Sequence, residues 1–147
     1  MEVRRSIELP VDVERAWRAL TDDDELAAWL GAPAGLDARP GGAGVVHDDD
    51  GIVRLVEVEA VEPGRRLVLR WWPVAADEDD EDEAAPASRV AFELTATPEG
   101  TTCLTVVETA LASPSHEAPD AWAAGRAAHW EDRLARAALR LGAAALV

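Results

Sequence analysis

The chain has 147 residues and a formal net charge of -15, with 29 acidic side chains against 14 basic ones, and a single cysteine. That length suits one domain over residues 1–147, whose core needs no disulfide or structural metal. The charge excludes a nucleic-acid partner, because phosphate binding needs basic side chains in excess on one face; no apolar run reaches membrane-spanning length, so a cytoplasmic protein without membrane insertion is expected.

Alternating residues up to Leu9 predict a half-buried strand that Pro10 ends. Val13, Trp17 and Leu20 then recur at helical spacing behind Asp12 as N-cap. Asp22 with Glu25 resembles a capping box for a second helix carrying Leu26, Trp29 and Leu30. Past Gly31, Pro33 and Gly35, residues 36–39 and 44–47 flank Pro40, Gly41 and Gly42 as a short hairpin. Residues 52–61 and 67–72 pair around Pro63 and Gly64, and Pro73 ends the second of them.

Seven of the negative charges fall in residues 77–83, leaving -8 on the rest of the chain, so the charge argument does not depend on that run. Like charges repel and do not pack, which makes residues 73–88 a solvated, flexible acidic loop rather than a cation or partner site. Residues 89–97 and 102–110 follow as a hairpin around Pro98, Glu99 and Gly100. From residue 120 to about residue 142 the pattern becomes a long helix with Trp122, Arg126, Trp130, Leu134, Ala138 and Leu141 on or near one stripe. The order strand, two helices, six strands and long helix predicts an α+β fold in which an antiparallel sheet of six or seven strands is covered by the last helix.

This pattern resembles the helix-grip superfamily (SRPBCC, START and Bet v1-like) of pollen allergens, lipid-transfer domains and polyketide cyclases. Within it, the sequence is most similar to the Hsp90 ATPase activator homologue 1-like (AHSA1-like) subgroup. The resemblance is carried by residues 13–22, 26–29, 39–42, 58–67 and 130–134 in that order. The chain departs at His129, where members of the subgroup often have glycine, and in the length of the acidic loop. The resemblance implies a helix-grip (Bet v1-like) fold: a curved sheet around the C-terminal helix, two short helices at one end, and an apolar cavity between sheet and helix. It implies no single activity, since relatives bind lipids or hormones, transform small molecules or regulate a chaperone.

Six tryptophans, one phenylalanine and no tyrosine concentrate the aromatic surface in a few large side chains. Trp17 reads as core, while Trp29 stands between a core and a pocket-rim reading. Trp71 and Trp72 are adjacent on a strand and must point to opposite faces. Leu67 and Leu69 share the parity of Trp71 and place it inside; Trp72 falls on the outer face or beneath the acidic loop, where it is a candidate contact for a second subunit or a protein partner. Arg126 lies four residues from both Trp122 and Trp130 and suits a cation–π contact, with an anion anchor as the alternative.

Glu108 shares parity with Leu104 and Val106 and is the best inward carboxylate; inside a cavity its pKa would be raised and it could act as a base. His129 is the other catalytic candidate, and sequence places no nucleophile or carboxylate beside it. His47 before three aspartates lacks metal-ligand spacing, and Cys103 reads as a small buried hydrophobe. No metal site or cofactor motif is read. The leading expectation is therefore a protein that binds an apolar or amphipathic small molecule through Trp29, Trp71, Phe92, Trp122, Arg126 and Trp130. The alternatives are an interaction or chaperone-cofactor module, with a homodimer or a protein partner through the outer sheet face, and a cyclase or hydrolase using Glu108 or His129.

Overall fold

The computed structural model describes residues 2–31, 34–47, 52–74, 87–111 and 119–142. The acidic run 77–83 and the aspartates at 48–50 lie outside the described residues. Strand β1 (Glu2–Leu9) is followed by helices α1 (Val13–Thr21) and α2 (Asp23–Trp29). Then come β2 (Ala34–Leu36), β3 (Ala43–His47), β4 (Val53–Glu62), β5 (Arg66–Pro73), β6 (Ser88–Ala96), β7 (Thr102–Ala110) and helix α3 (Pro119–Arg140). The strands form one antiparallel sheet in the order β1-β7-β6-β5-β4-β3-β2. This is the α+β arrangement that the element order predicts and the helix-grip fold that the resemblance implies.

Local chemistry explains most element ends. Asp12 caps α1 by accepting from the Arg15 amide at 2.8 Å, and Asp22 caps α2 by accepting from the Asp24 and Glu25 amides. The capping box is not reciprocal: the Glu25 carboxylate turns instead to Arg15, which reaches it at 3.0 Å and ties α2 to α1. The first hairpin strand is Ala34–Leu36, earlier than residues 36–39, because residues 37–42 form a tight turn. Gly41 there has φ +80°, and a Cβ on Gly42 would collide with the Asp37 carbonyl. That turn docks on β4, with Gly41 donating to the Val58 carbonyl and Val58 to that of Gly42.

The register of β4 shifts between Val58 and Ala60. Beyond the irregularity Val61, not Ala60, faces the core opposite Leu67, the usual consequence of an inserted residue. Helix α3 lies on the inner face, against β1 and α2, and buries Trp130, Leu134, Ala137, Ala138 and Leu141 in one core with Leu67, Leu69, Val90, Leu104 and Val106. Each fully buried aliphatic side chain here is worth about 1.5–3 kcal/mol relative to exposure. Arg5 on β1 also reaches Glu131 on α3 at 3.1 Å. No described helix is long and apolar enough to cross a membrane.

Candidate functional site

Period two brings the site together. Arg54, Val56 and Val58 on β4, Leu67, Leu69 and Trp71 on β5, Ser88 and Val90 on β6, and Leu104, Val106 and Glu108 on β7 all face α3. Trp122, Arg126 and Trp130, spaced four apart on α3, face back toward them. At one end of this layer Glu108, 2% exposed, is the centre of a polar network. Its Oε1 accepts from Arg126 Nε at 2.7 Å and from Trp130 Nε1 at 2.8 Å. Its Oε2 accepts from Trp71 Nε1 at 3.2 Å, and the Ser88 hydroxyl also bonds the carboxylate.

A carboxylate has about four acceptor positions, and these donors occupy them. Burial pushes the Glu108 carboxyl up, but the charge of Arg126 and the hydrogen bonds from Arg126, Trp130 and Ser88 together push it further down, so the net pKa is lowered. The sequence expectation of a raised pKa is thereby corrected: a buried carboxylate without partners would rise, and this one has a cation and a full set of donors. Glu108 is an ionised anchor between β7 and α3, a poor starting point for a general base.

Aromatic rings surround the network. Trp71 stacks on Trp130 with centroids 5.4 Å apart and planes 9° from parallel, and Phe92 stands edge-on to Trp29 at 6.0 Å and to Trp130 at 5.7 Å. These four rings are 0–2% exposed and occupy the middle of the layer between sheet and helix. Trp29 is further fixed by donating to the Ala19 carbonyl at 2.9 Å. Arg126 lies 5.7 Å from the Trp71 ring and 5.9 Å from that of Trp130; its cation–π partners are these two, not Trp122. His129 is half-buried and edge-on to Trp130 at 4.9 Å and to Trp71 at 6.5 Å.

Among the described residues, the inner face opens beside Glu108 in a cleft of about 30 Å³. Of the expected binding residues, Trp71, Trp122 and Arg126 line it together with Glu108; Trp29, Phe92 and Trp130 stand behind in the packed aromatic layer. Two lining groups, Arg54 and Ser88, escape sequence reasoning. Arg54 is 7% exposed and lies 5.4 Å from the Trp71 ring. Its shared parity with Val56 and Val58 is the signal that could have found it. No group of three or more potential metal ligands occurs among the described residues.

The outer face differs. Leu55 is opposite Val45 and Trp72, and Leu111 bonds Ala87, one residue before the Ser88 that pairs with Trp71. This apolar row crosses the sheet, with Leu55 41%, Val74 44% and Leu111 37% exposed. Beside it a hollow of about 370 Å³ is lined by Glu57, Arg70, Trp72 and Ala87.

Residues 10–138 match the family described as activator of Hsp90 ATPase homolog 1-like protein. The chain belongs to that family. Among solved structures, DynU16, from the dynemicin biosynthetic locus, is 30% identical with a TM-score of 0.74; the match covers 95% of this chain and 46% of DynU16, so the chain spans less than half of that protein. Protein MLL2253 from Mesorhizobium loti is 25% identical with a TM-score of 0.78, over 96% of both chains. The Aha1 dimer from Colwellia psychrerythraea shares the fold, with a TM-score of 0.70 at 19% identity over 96% of each chain. No curated protein matches the sequence. Membership in the activator-homologue family thus accompanies relatives of differing description, and the role of this member rests on its own site.

Proposed function

We propose that the protein is a small-molecule binder that takes an amphipathic ligand at the inner-face cleft. The observation that carries this reading is the Arg126–Glu108 pair, held rigid by three further donors and opening on a cleft walled by Trp71 and Trp122. Binding sites combine aromatic wall with a few fixed polar groups in this way. At about 30 Å³ the cleft holds only a few water-sized atoms, so the polar end of a ligand enters while its apolar body lies against Trp122 and Pro73 at the rim. Trp29, Phe92 and Trp130 serve as the backing that keeps Trp71 in place. Binding ranks above catalysis because the acceptor positions of Glu108 are taken. A screen of small amphipaths followed by tryptophan fluorescence, with a crystal structure of any hit, tests the reading. Hits that dock elsewhere and leave Trp71 and Trp122 unperturbed would refute it.

The apolar outer row supports a second reading, association with another protein chain through Trp72 and Leu55. Exposed apolar rows of this kind mark interaction surfaces, and the Colwellia relative is described as a dimer. Glu57 and Arg70, cross-strand neighbours of opposite sign, make the face self-complementary under a two-fold axis. Light scattering after size exclusion checks this, with Trp72→Ala as the disrupting variant. A strict monomer at all concentrations that captures no partner, the Hsp90 chaperone included, removes it.

A further inference from the structure

We infer that the polar end of the ligand is an anion, a carboxylate carried on a flat apolar body. This rests on the reading of the inner-face cleft as the ligand site and names the class of molecule it takes. The charged groups that line the cleft are Arg54, Arg126 and Glu108. Glu108 has no acceptor position left for a ligand N–H, since Arg126, Trp130, Trp71 and Ser88 fill them. An ammonium or amide donor entering the cleft would meet two guanidiniums and a saturated carboxylate.

Arg126 presents the complementary case. Its Nε is committed to Glu108, while its Nη2 is buried without a hydrogen-bond acceptor among the described residues. Buried donors in folded proteins nearly always have partners, and an exception on a residue that lines a cleft points to a missing one. A ligand oxygen supplies it once binding turns the guanidinium of Arg126, a residue of the cleft lining, toward the cleft. Arg54 brings a second guanidinium against the same Trp71 ring that Arg126 touches, and a planar carboxylate can offer one oxygen to each. The cleft volume of about 30 Å³ admits such a compact group and excludes a ring, which leaves the apolar body to Trp122 and Pro73. The overall charge of -15 works against an anion at long range, so recognition has to come from these local groups, in a site where salt screens little.

The test compares two probes of one shape, 2-naphthoate and its neutral counterpart 2-naphthamide, by isothermal titration of the full chain, with tryptophan fluorescence locating the site. We expect the carboxylate to bind at least about tenfold more tightly, since a site of buried donors discriminates strongly against the wrong partner. In Arg126→Gln the preference should fall to about threefold or less by loss of that charge-assisted bond. Arg54→Gln gives the same comparison should the first variant lose its fold, judged by circular dichroism. Equal binding of both probes, with the tryptophan response intact, overturns the anion inference and leaves the cleft as a ligand site. Failure of both probes to bind overturns both readings. A preference for the carboxylate unchanged in Arg126→Gln and in Arg54→Gln also overturns the inference, because it would place the anion elsewhere.

Discussion

On the inner face of β4 the charged Arg54 is 7% exposed, while its neighbour Leu55 on the outer face is 41% exposed. On β5 the same division separates Trp71, at 2%, from the half-buried Trp72. Hydrophobicity alone would turn Arg54 out and Leu55 in. The register is decided instead by Val56 and Val58, buried on the Arg54 side against Leu67 and Leu69 of β5, and a slip of β4 by one residue would expose both valines to bury Leu55. Places where a local preference yields in this way tend to be functional. The two faces also differ in kind: the inner region is a closed polar network with its geometry fixed by neighbours, and the outer region is an open apolar row whose contacts are still to be made.

The sharpest way to break the contrast is at Glu108. Glu108→Gln keeps the shape of the side chain but leaves the Arg126 guanidinium, 13% exposed, without its counter-ion. Removing one member of a buried pair costs about 3–5 kcal/mol. Urea unfolding should show the free energy of unfolding lower by that amount, with the midpoint moving down and little change in slope. A loss below about 1 kcal/mol, the range of exposed pairs, would mean that the network is not a structural unit.

Acid titration separates the charge of Glu108 from its packing. The folded-state pKa lies below the ordinary value of 4.5, with burial opposing the shift and Arg126, Trp130 and Ser88 producing it. The stabilisation is therefore complete above the ordinary carboxylate range and is lost as the pH falls through the lowered folded value. The gap in stability between wild type and Glu108→Gln should thus narrow on going from pH 7 toward pH 3. A gap that widens on acidification would reverse the sign of the shift.

The elements of both faces were readable because they rest on local patterns: prolines and glycines at strand ends, the Asp12 and Asp22 caps, and period two along 102–110. Parity alone put Glu108 inside and set Trp71 against Trp72. What parity could not give was the charge state of Glu108, since its donors come from β5, β6 and α3 and are neighbours only after folding. Arg54 was missed because apolar residues of both parities surround it in the strand, Val53 and Leu55 as well as Val56 and Val58, and an arginine among them reads as the outward one. The placement of Trp29, Phe92 and Trp130 behind the cleft follows from ring packing across three elements, which no single periodicity encodes.

Arg89 on the outer face supplies a smaller test. Its Nε donates to Glu59 at 2.7 Å, and that hydrogen bond and charge raise its pKa, but the two side chains are 49% and 29% exposed. Solvent screening limits such a pair to about 0.2–1 kcal/mol. Arg89→Ala should lose no more than that, and the loss should diminish between low salt and 1 M salt. The deficit of Glu108→Gln should hardly respond to the same change, because its partners are out of the solvent.

Leu55 is expected to matter least for folding. With 41% of its surface already in water, Leu55→Ser removes little burial and should change stability by no more than about 0.5 kcal/mol. A leucine retained there for packing would cost about 2 kcal/mol or more on truncation, as core aliphatic residues do. The substitution therefore isolates the outer row from the fold that carries it. If that row is a contact surface, light scattering should register the change as a shift toward monomer at unchanged stability. A protein that keeps its mass while losing stability would place Leu55 with the core and erase the distinction between the two faces at the residue where it is widest.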